Sequence, residues 1–187
     1  MHASTLTRRR GFTLVEALVA ITLMGLAGSA LLLGIQSALI TSEAVVEQMV
    51  AVGLAEQLLD EMAAVGFSGD PTPLGAGGSR EAFDDLGDYD GLADQPPRDR
   101  WGIPLGQDDG VGGVRDSVMQ ASSGFMDRWR REVSVQYVAS ADLTTALGGG
   151  QTSAYRLVEV RVYCNHQAGS RQVLALRRVF VDVAVVD

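Results

Sequence analysis

The sequence predicts an α+β fold: a long N-terminal helix with a membrane-spanning first half, packed on a C-terminal antiparallel sheet of about three strands. Three observations carry this. Residues 17–40 hold no charged side chain, and about 20 apolar residues are enough for a helix to cross a bilayer. No Pro stands between residues 12 and 70, while apolar residues recur at helical spacing over 51–65. Beyond residue 127, three stretches alternate apolar and polar residues and are separated by Gly-rich or polar turns.

The N-terminus comes first. Residues 1–10 are short and polar and end in Arg8, Arg9 and Arg10. The apolar run that follows exceeds the roughly 7–15 residues of a secretory signal and flows directly into a polar helix. By the positive-inside rule the three arginines stay cytoplasmic, which places the chain after residue 40 on the far side of the inner membrane. Glu16 interrupts this pattern. A carboxylate within an apolar segment costs on the order of 2.5–3.5 kcal/mol, so its presence requires a reason that a plain signal anchor does not supply.

Arg10, Gly11, Phe12, Thr13, Leu14, Val15 and Glu16 together resemble the processing motif of type IV pilins and type II secretion pseudopilins. The resemblance is strong over residues 8–62 and architectural beyond them. It implies cleavage by a prepilin peptidase between Gly11 and Phe12 and methylation of the new amine on Phe12. It also implies a role in assembly for Glu16, the fifth residue of the mature chain. In a filament the apolar helices bundle without lipid, and Glu16 of one subunit pairs with the Phe12 amine of a neighbour, each offsetting the other's desolvation. For the unassembled protein, a Glu16 that snorkels to the headgroups is the alternative. The partners implied are the peptidase, other pilins or pseudopilins, the inner-membrane assembly platform and the membrane itself. The implied location is the inner membrane, with a single pass, a cytoplasmic N-terminus and a periplasmic C-terminal domain, and then the pilus or pseudopilus.

The chain divides into a leader (1–11), the long helix (12–66), a Gly- and Asp-rich connection (67–126) and the sheet domain (127–187). The helix is expected to run to about Val65, some 80 Å at 1.5 Å per residue, with Gly66 as its stop. Gly25, Gly28, Ser29 and Gly34 either let helices approach closely or are tolerated soft spots. Many major pilins carry a Pro in this half, and this chain has none. Ala51, Leu54, Leu58, Met62 and Val65, with Ala55 and Leu59, form a stripe that should bury against the sheet. Glu43, Glu47, Glu56, Asp60 and Glu61 lie among them with no basic residue between 11 and 79. They form a solvated face or meet arginines elsewhere in the fold or on a neighbour.

The connection carries Gly-rich pieces at 75–78 and 110–113 and all five Pro residues. A connection this long is unusual in a compact domain. Residues 83–94 hold Asp84, Asp85, Asp88, Asp90 and Asp94 and resemble a segment of minor pilins of the mannose-sensitive haemagglutinin type. Alternating Asp with a following Gly suits Ca²⁺, although the bidentate Glu of a full calcium loop is missing. Asx-turns in a solvated loop explain the same residues. No other cofactor is expected.

The three strands are expected over about 129–140, 156–164 and 172–185. On the third, Val173, Ala175, Val179, Val181, Val183 and Val185 share one face, with Arg177 as the exception. Short connections make an antiparallel meander. Cys164 follows the apolar face of the second strand as a small core residue, and His166 stands in a turn at the surface. With one Cys there is no intrachain disulfide and no cysteine-based zinc cluster.

Function classes narrow accordingly. The net charge of −8 argues against a nucleic-acid binder acting through a basic surface. Charge is also segregated: +3 over residues 1–11, −7 over 12–79, −7 over 80–127 and +3 over 128–187. This pattern predicts an acidic helix and loop packing against an Arg-bearing sheet, within or between subunits. No G-x-S-x-G element is present, and nothing argues for an enzyme. The reading is a minor pilin or pseudopilin. An uncleaved single-pass protein with a periplasmic ligand- or protein-binding domain is the alternative, and a tethered periplasmic enzyme is the third.

Overall fold

The computed structural model describes residues 13–108, 116–167 and 169–183. The chain falls into two compact units, Met1–Val46 and Glu47–Asp187. The first contains the apolar beginning of helix α1, Leu14–Met62. Among the described residues this helix is long and apolar enough to cross a membrane. Leu14, Leu18, Leu23, Leu26, Leu31, Leu32, Leu39 and Ile40 are all exposed.

The second unit holds the last four turns of α1 and a five-stranded sheet: β1 (Ala93–Asp94), β2 (Trp129–Ala139), β3 (Asp142–Ala146), β4 (Tyr155–His166) and β5 (Gly169–Val181). The order is β1-β2-β4-β5, with β3 paired to β2, and every pairing is antiparallel. The fold is therefore α+β as expected, with two more strands than the three predicted. The sequence reading missed β1 because it has two residues, and β3 because it is exposed throughout and has no buried phase to detect.

The helix stripe buries as its spacing predicts: Ala51, Leu54, Ala55, Leu58, Leu59 and Met62 are at most 5% exposed. They pack with Trp129, Val133, Val158, Val160 and Val162 of the sheet and with Phe83, Leu86 and Tyr89 of the connection. The helix ends three residues before the expected Val65. Its last amides bond three residues back, Ala64 N to Glu61 O and Val65 N to Met62 O, which tightens the turn. Gly66 is not a left-handed cap. Its N–H donates to Asp84 O at 2.7 Å and its carbonyl accepts from Leu86 N at 3.0 Å. A Cβ there would stand 3.0 Å from Asp84 O. Glycine is needed at this position for close backbone approach.

The β5 face also differs from the expectation. Val158, Val160 and Val162 of β4 lie opposite Arg178, Leu176 and Leu174, with a register shift beside Val162. Leu174, Leu176 and Phe180 consequently pack against the core, while Ala175 and Arg177 are exposed. The bulge at Val173 moves one end of the strand into the opposite phase, which period-two reading cannot anticipate. Val183 is exposed, and Val185 lies outside the described residues.

Buried ion pairs order the long connection. All five donors of Arg131 are used: Nε and Nη2 to Asp94 at 3.0 and 2.6 Å, Nη1 to Gln57 and Leu54 O, and Nη2 to Arg98 O. Arg80, fully buried, chelates Glu61 through Nε at 2.8 Å and Nη2 at 2.9 Å. Glu61 also accepts from Tyr89 Oη at 3.1 Å. Burial and the adjacent Glu61 carboxylate both push the Tyr89 phenol well above its ordinary value. Further pairs tie the helix to the sheet, Arg178 to Asp60 at 3.1 Å and Arg171 to Glu47 at 2.5 Å. The segregated charges thus meet within one chain.

Candidate functional site

Gly11 and Phe12, the expected processing residues, lie outside the described residues. The first described residue, Thr13, stands immediately before α1. Thr13 Oγ1 accepts from Glu16 N at 3.3 Å. In return, Glu16 Oε2 lies 3.5 Å from both Thr13 N and Thr13 Oγ1. This is the reciprocal Thr-x-x-Glu arrangement that satisfies amides at a helix start. A carboxylate there also faces the positive end of the helix dipole. Glu16 therefore has an intrachain role that the sequence reading missed, although the Thr-x-x-Glu spacing before an apolar run was its visible signal.

Farther along α1, Thr22 and Ser29 return their hydroxyls to the helix backbone, at Val19 O and Gly25 O. A Cβ added at Gly25, Gly28 or Gly34 would meet nothing within 4 Å. Among the described residues, no neighbour requires these glycines.

The five aspartates proposed for calcium separate into three locations. Asp84, Asp85 and Asp88 converge, with carboxylate oxygens within 4.8 Å of one another. Asp85 caps the short 3₁₀ turn Leu86–Tyr89 by accepting from Gly87 N, and Asp88 completes that capping box. Asp88 also accepts from Thr72 N at 2.6 Å and Asp84 N at 3.1 Å. Asp90 does not join them, because it accepts from Val135 N at 2.8 Å and ties the loop to β2. Asp94 does not join them either, because both of its oxygens are held by Arg131. Arg156 closes the group from the sheet side, with Nη1 3.4 Å from Asp85 and Nη2 2.6 Å from Tyr137 Oη. Its guanidinium also stacks 4.5 Å over the Tyr137 ring. Asp85, Asp88, Asp90 and Arg156, with Gly69, Pro71 and Thr72, line a cleft of about 360 Å³. Its carboxylates are largely committed to backbone amides and a cation, which is the chemistry of Asx-turn capping.

Sequence reading also missed the burial of Arg80 and Arg131. For Arg131 the signal was present: it shares the strand phase of Trp129 and Val133, so it had to be buried and therefore paired.

A family model described as the prokaryotic N-terminal methylation motif matches residues 6–32. No curated protein matches the chain, and no solved structure matches it. The matched segment runs from the basic leader through Gly11, Phe12 and Glu16 into the exposed apolar half of α1. The chain is thus similar, over this segment, to precursors that are processed by prepilin peptidase and assembled with other pilins, and the motif indicates a type IV pilin-like or pseudopilin precursor.

Proposed function

We propose that the protein is a minor pilin or pseudopilin, a structural subunit of a type IV pilus or type II secretion pseudopilus. Prepilin peptidase cuts it between Gly11 and Phe12 at the cytoplasmic face of the inner membrane, and Phe12 is then methylated. The apolar half of α1 passes from the membrane into the filament core, where Glu16 pairs with the Phe12 amine of a neighbour. The unit beginning at Glu47 stands in the periplasm before assembly. The observation that carries this is the methylation motif at 6–32 leading into a helix whose first half exposes its apolar side chains. The resemblance of the aspartate-rich segment 83–94 to minor pilins of the mannose-sensitive haemagglutinin type supports that subclass.

Mass spectrometry of the membrane form tests the processing. The expected N-terminus is methylated Phe12, and Gly11→Ser should leave the leader attached. An intact Met1 in the wild type would instead mean an uncleaved anchor.

The Thr13–Glu16 cap favours that second reading in one respect, since it gives Glu16 a purpose without assembly. Glu16→Gln separates the two. Glutamine serves in a capping box as glutamate does but carries no charge to pair with an amine. If the charge is what assembly uses, Glu16→Gln should fail to enter filaments as completely as Glu16→Ala. Wild-type incorporation of Glu16→Gln would reduce Glu16 to a cap.

A further inference from the structure

At one end of the sheet, α1 and β4 bring together three metal-ligating side chains that no assembly role uses. Cys164 and His166 are two apart on β4, so they point to the same face. Glu47, on α1, lies over them. The sulfur of Cys164, a ring nitrogen of His166 and a carboxylate oxygen of Glu47 all lie within 4.8 Å of one another. His166 Nε2 is 3.5 Å from Glu47 Oε1. Cys164 is fully buried and Glu47 is 5% exposed, whereas the His166 side chain is 37% exposed and opens the group to solvent.

We propose that Glu47, Cys164 and His166 form a three-ligand Zn²⁺ site. Thiolate, imidazole and carboxylate together suit zinc rather than Ca²⁺ or Mg²⁺, which take oxygen ligands. With metal–ligand bonds of about 2.0–2.3 Å, the donors of one tetrahedral ion stand roughly 3.2–3.8 Å apart. The observed group needs to close by at most about 1.6 Å to reach those separations. The carboxylate is already oriented for the task. Arg171 holds Glu47 Oε2 at 2.5 Å and leaves Oε1 towards His166. Such an outer partner fixes a ligand's direction. Cys164 lies opposite Arg171 across the β4–β5 ladder, so one strand pair sets both the ligand and its support.

The aspartates of the 3₁₀ turn differ, because backbone amides already occupy oxygens of Asp85 and Asp88. Zinc binds the thiolate, so loading releases the Cys164 proton. Three protein ligands leave the fourth position to water or to a donor from another molecule.

Co²⁺ titration of the full chain in detergent, after chelator treatment, tests the site. Cys164 is the single cysteine, so any thiolate-to-cobalt charge-transfer band reports on it alone. The expected result is that band at one ion per chain, bleached by Zn²⁺ and absent in Cys164→Ser. Because Cys164→Ser disturbs the core, His166→Asn at a partly exposed position is the second variant. It should keep the wild-type unfolding midpoint without metal and weaken binding at least tenfold. Arg171→Ala should weaken it about 10–100-fold, the usual range for a lost outer partner. Absence of the band, unchanged affinity in His166→Asn, or one ion shared by two chains would each overturn the proposal.

Discussion

The two parts of α1 both carry leucines and other large apolar residues, and these meet opposite fates. From Leu14 to Ile40 the leucines and isoleucines are exposed, most by more than half of their surface. From Ala51 to Met62 the stripe residues are almost wholly buried. Helix propensity does not distinguish them. What differs is the distribution of apolar residues around the axis. The second part concentrates them on one face, and a sheet of the same chain covers that face. The first part is apolar all round, which in a helix without chain partners calls for lipid or other helices. Burial within the chain and burial outside it are thus written on one continuous helix.

Substitutions should sharpen this contrast. The largest effect is expected at Arg131→Ala. It leaves Asp94 buried without its main cation, and breaking such a pair costs about 3–5 kcal/mol. Urea unfolding followed by fluorescence of the buried Trp129 measures it. Leu58→Ala should cost about 2–5 kcal/mol in the same assay, as buried leucine truncations do. Leu32→Ala, chemically identical but in the exposed part, should change that transition by no more than about 0.5 kcal/mol. An equal loss at both leucines would break the comparison.

The alkaline limb comes next. The raised Tyr89 phenol keeps its proton in the folded state after the unfolded chain has lost it. The stability it contributes is present below pH 10, the ordinary tyrosine value, and is lost as pH rises above it. Spectrophotometric titration should show a phenol ionising well above the ordinary tyrosine value, and Tyr89→Phe should remove that phase. The smallest effect is expected from CaCl₂. The aspartates of the 3₁₀ turn are committed to backbone donors, so added Ca²⁺ should leave the thermal midpoint unchanged. A rise abolished by Asp88→Asn would show that the ion competes for them successfully.

Much of the fold was legible because it rests on local pattern. The apolar run, the stripe from Ala51 to Met62 and the alternation of β2 and β4 are periodic signals that survive any packing. The processing motif is linear and is read without structure. The Asp-rich segment was legible only as a composition. Which of its carboxylates converge depends on where the chain turns, and Asp90 and Asp94 were drawn away by β2, through Val135 N and Arg131 respectively.

The sequence by itself therefore determined the methylation motif, the long helix, the α+β class and the face of α1 that is buried, since each follows from spacing along one segment. Tertiary structure alone decided four things: the phase of β5 after its bulge, the short strands β1 and β3, the pairing of Arg80 and Arg131 with Glu61 and Asp94, and the meeting of Glu47 with Cys164 and His166. These are contacts between segments distant in sequence. A hydrogen bond or ion pair of that kind leaves no period in the chain, because its partners are chosen by geometry that exists only once the core has closed.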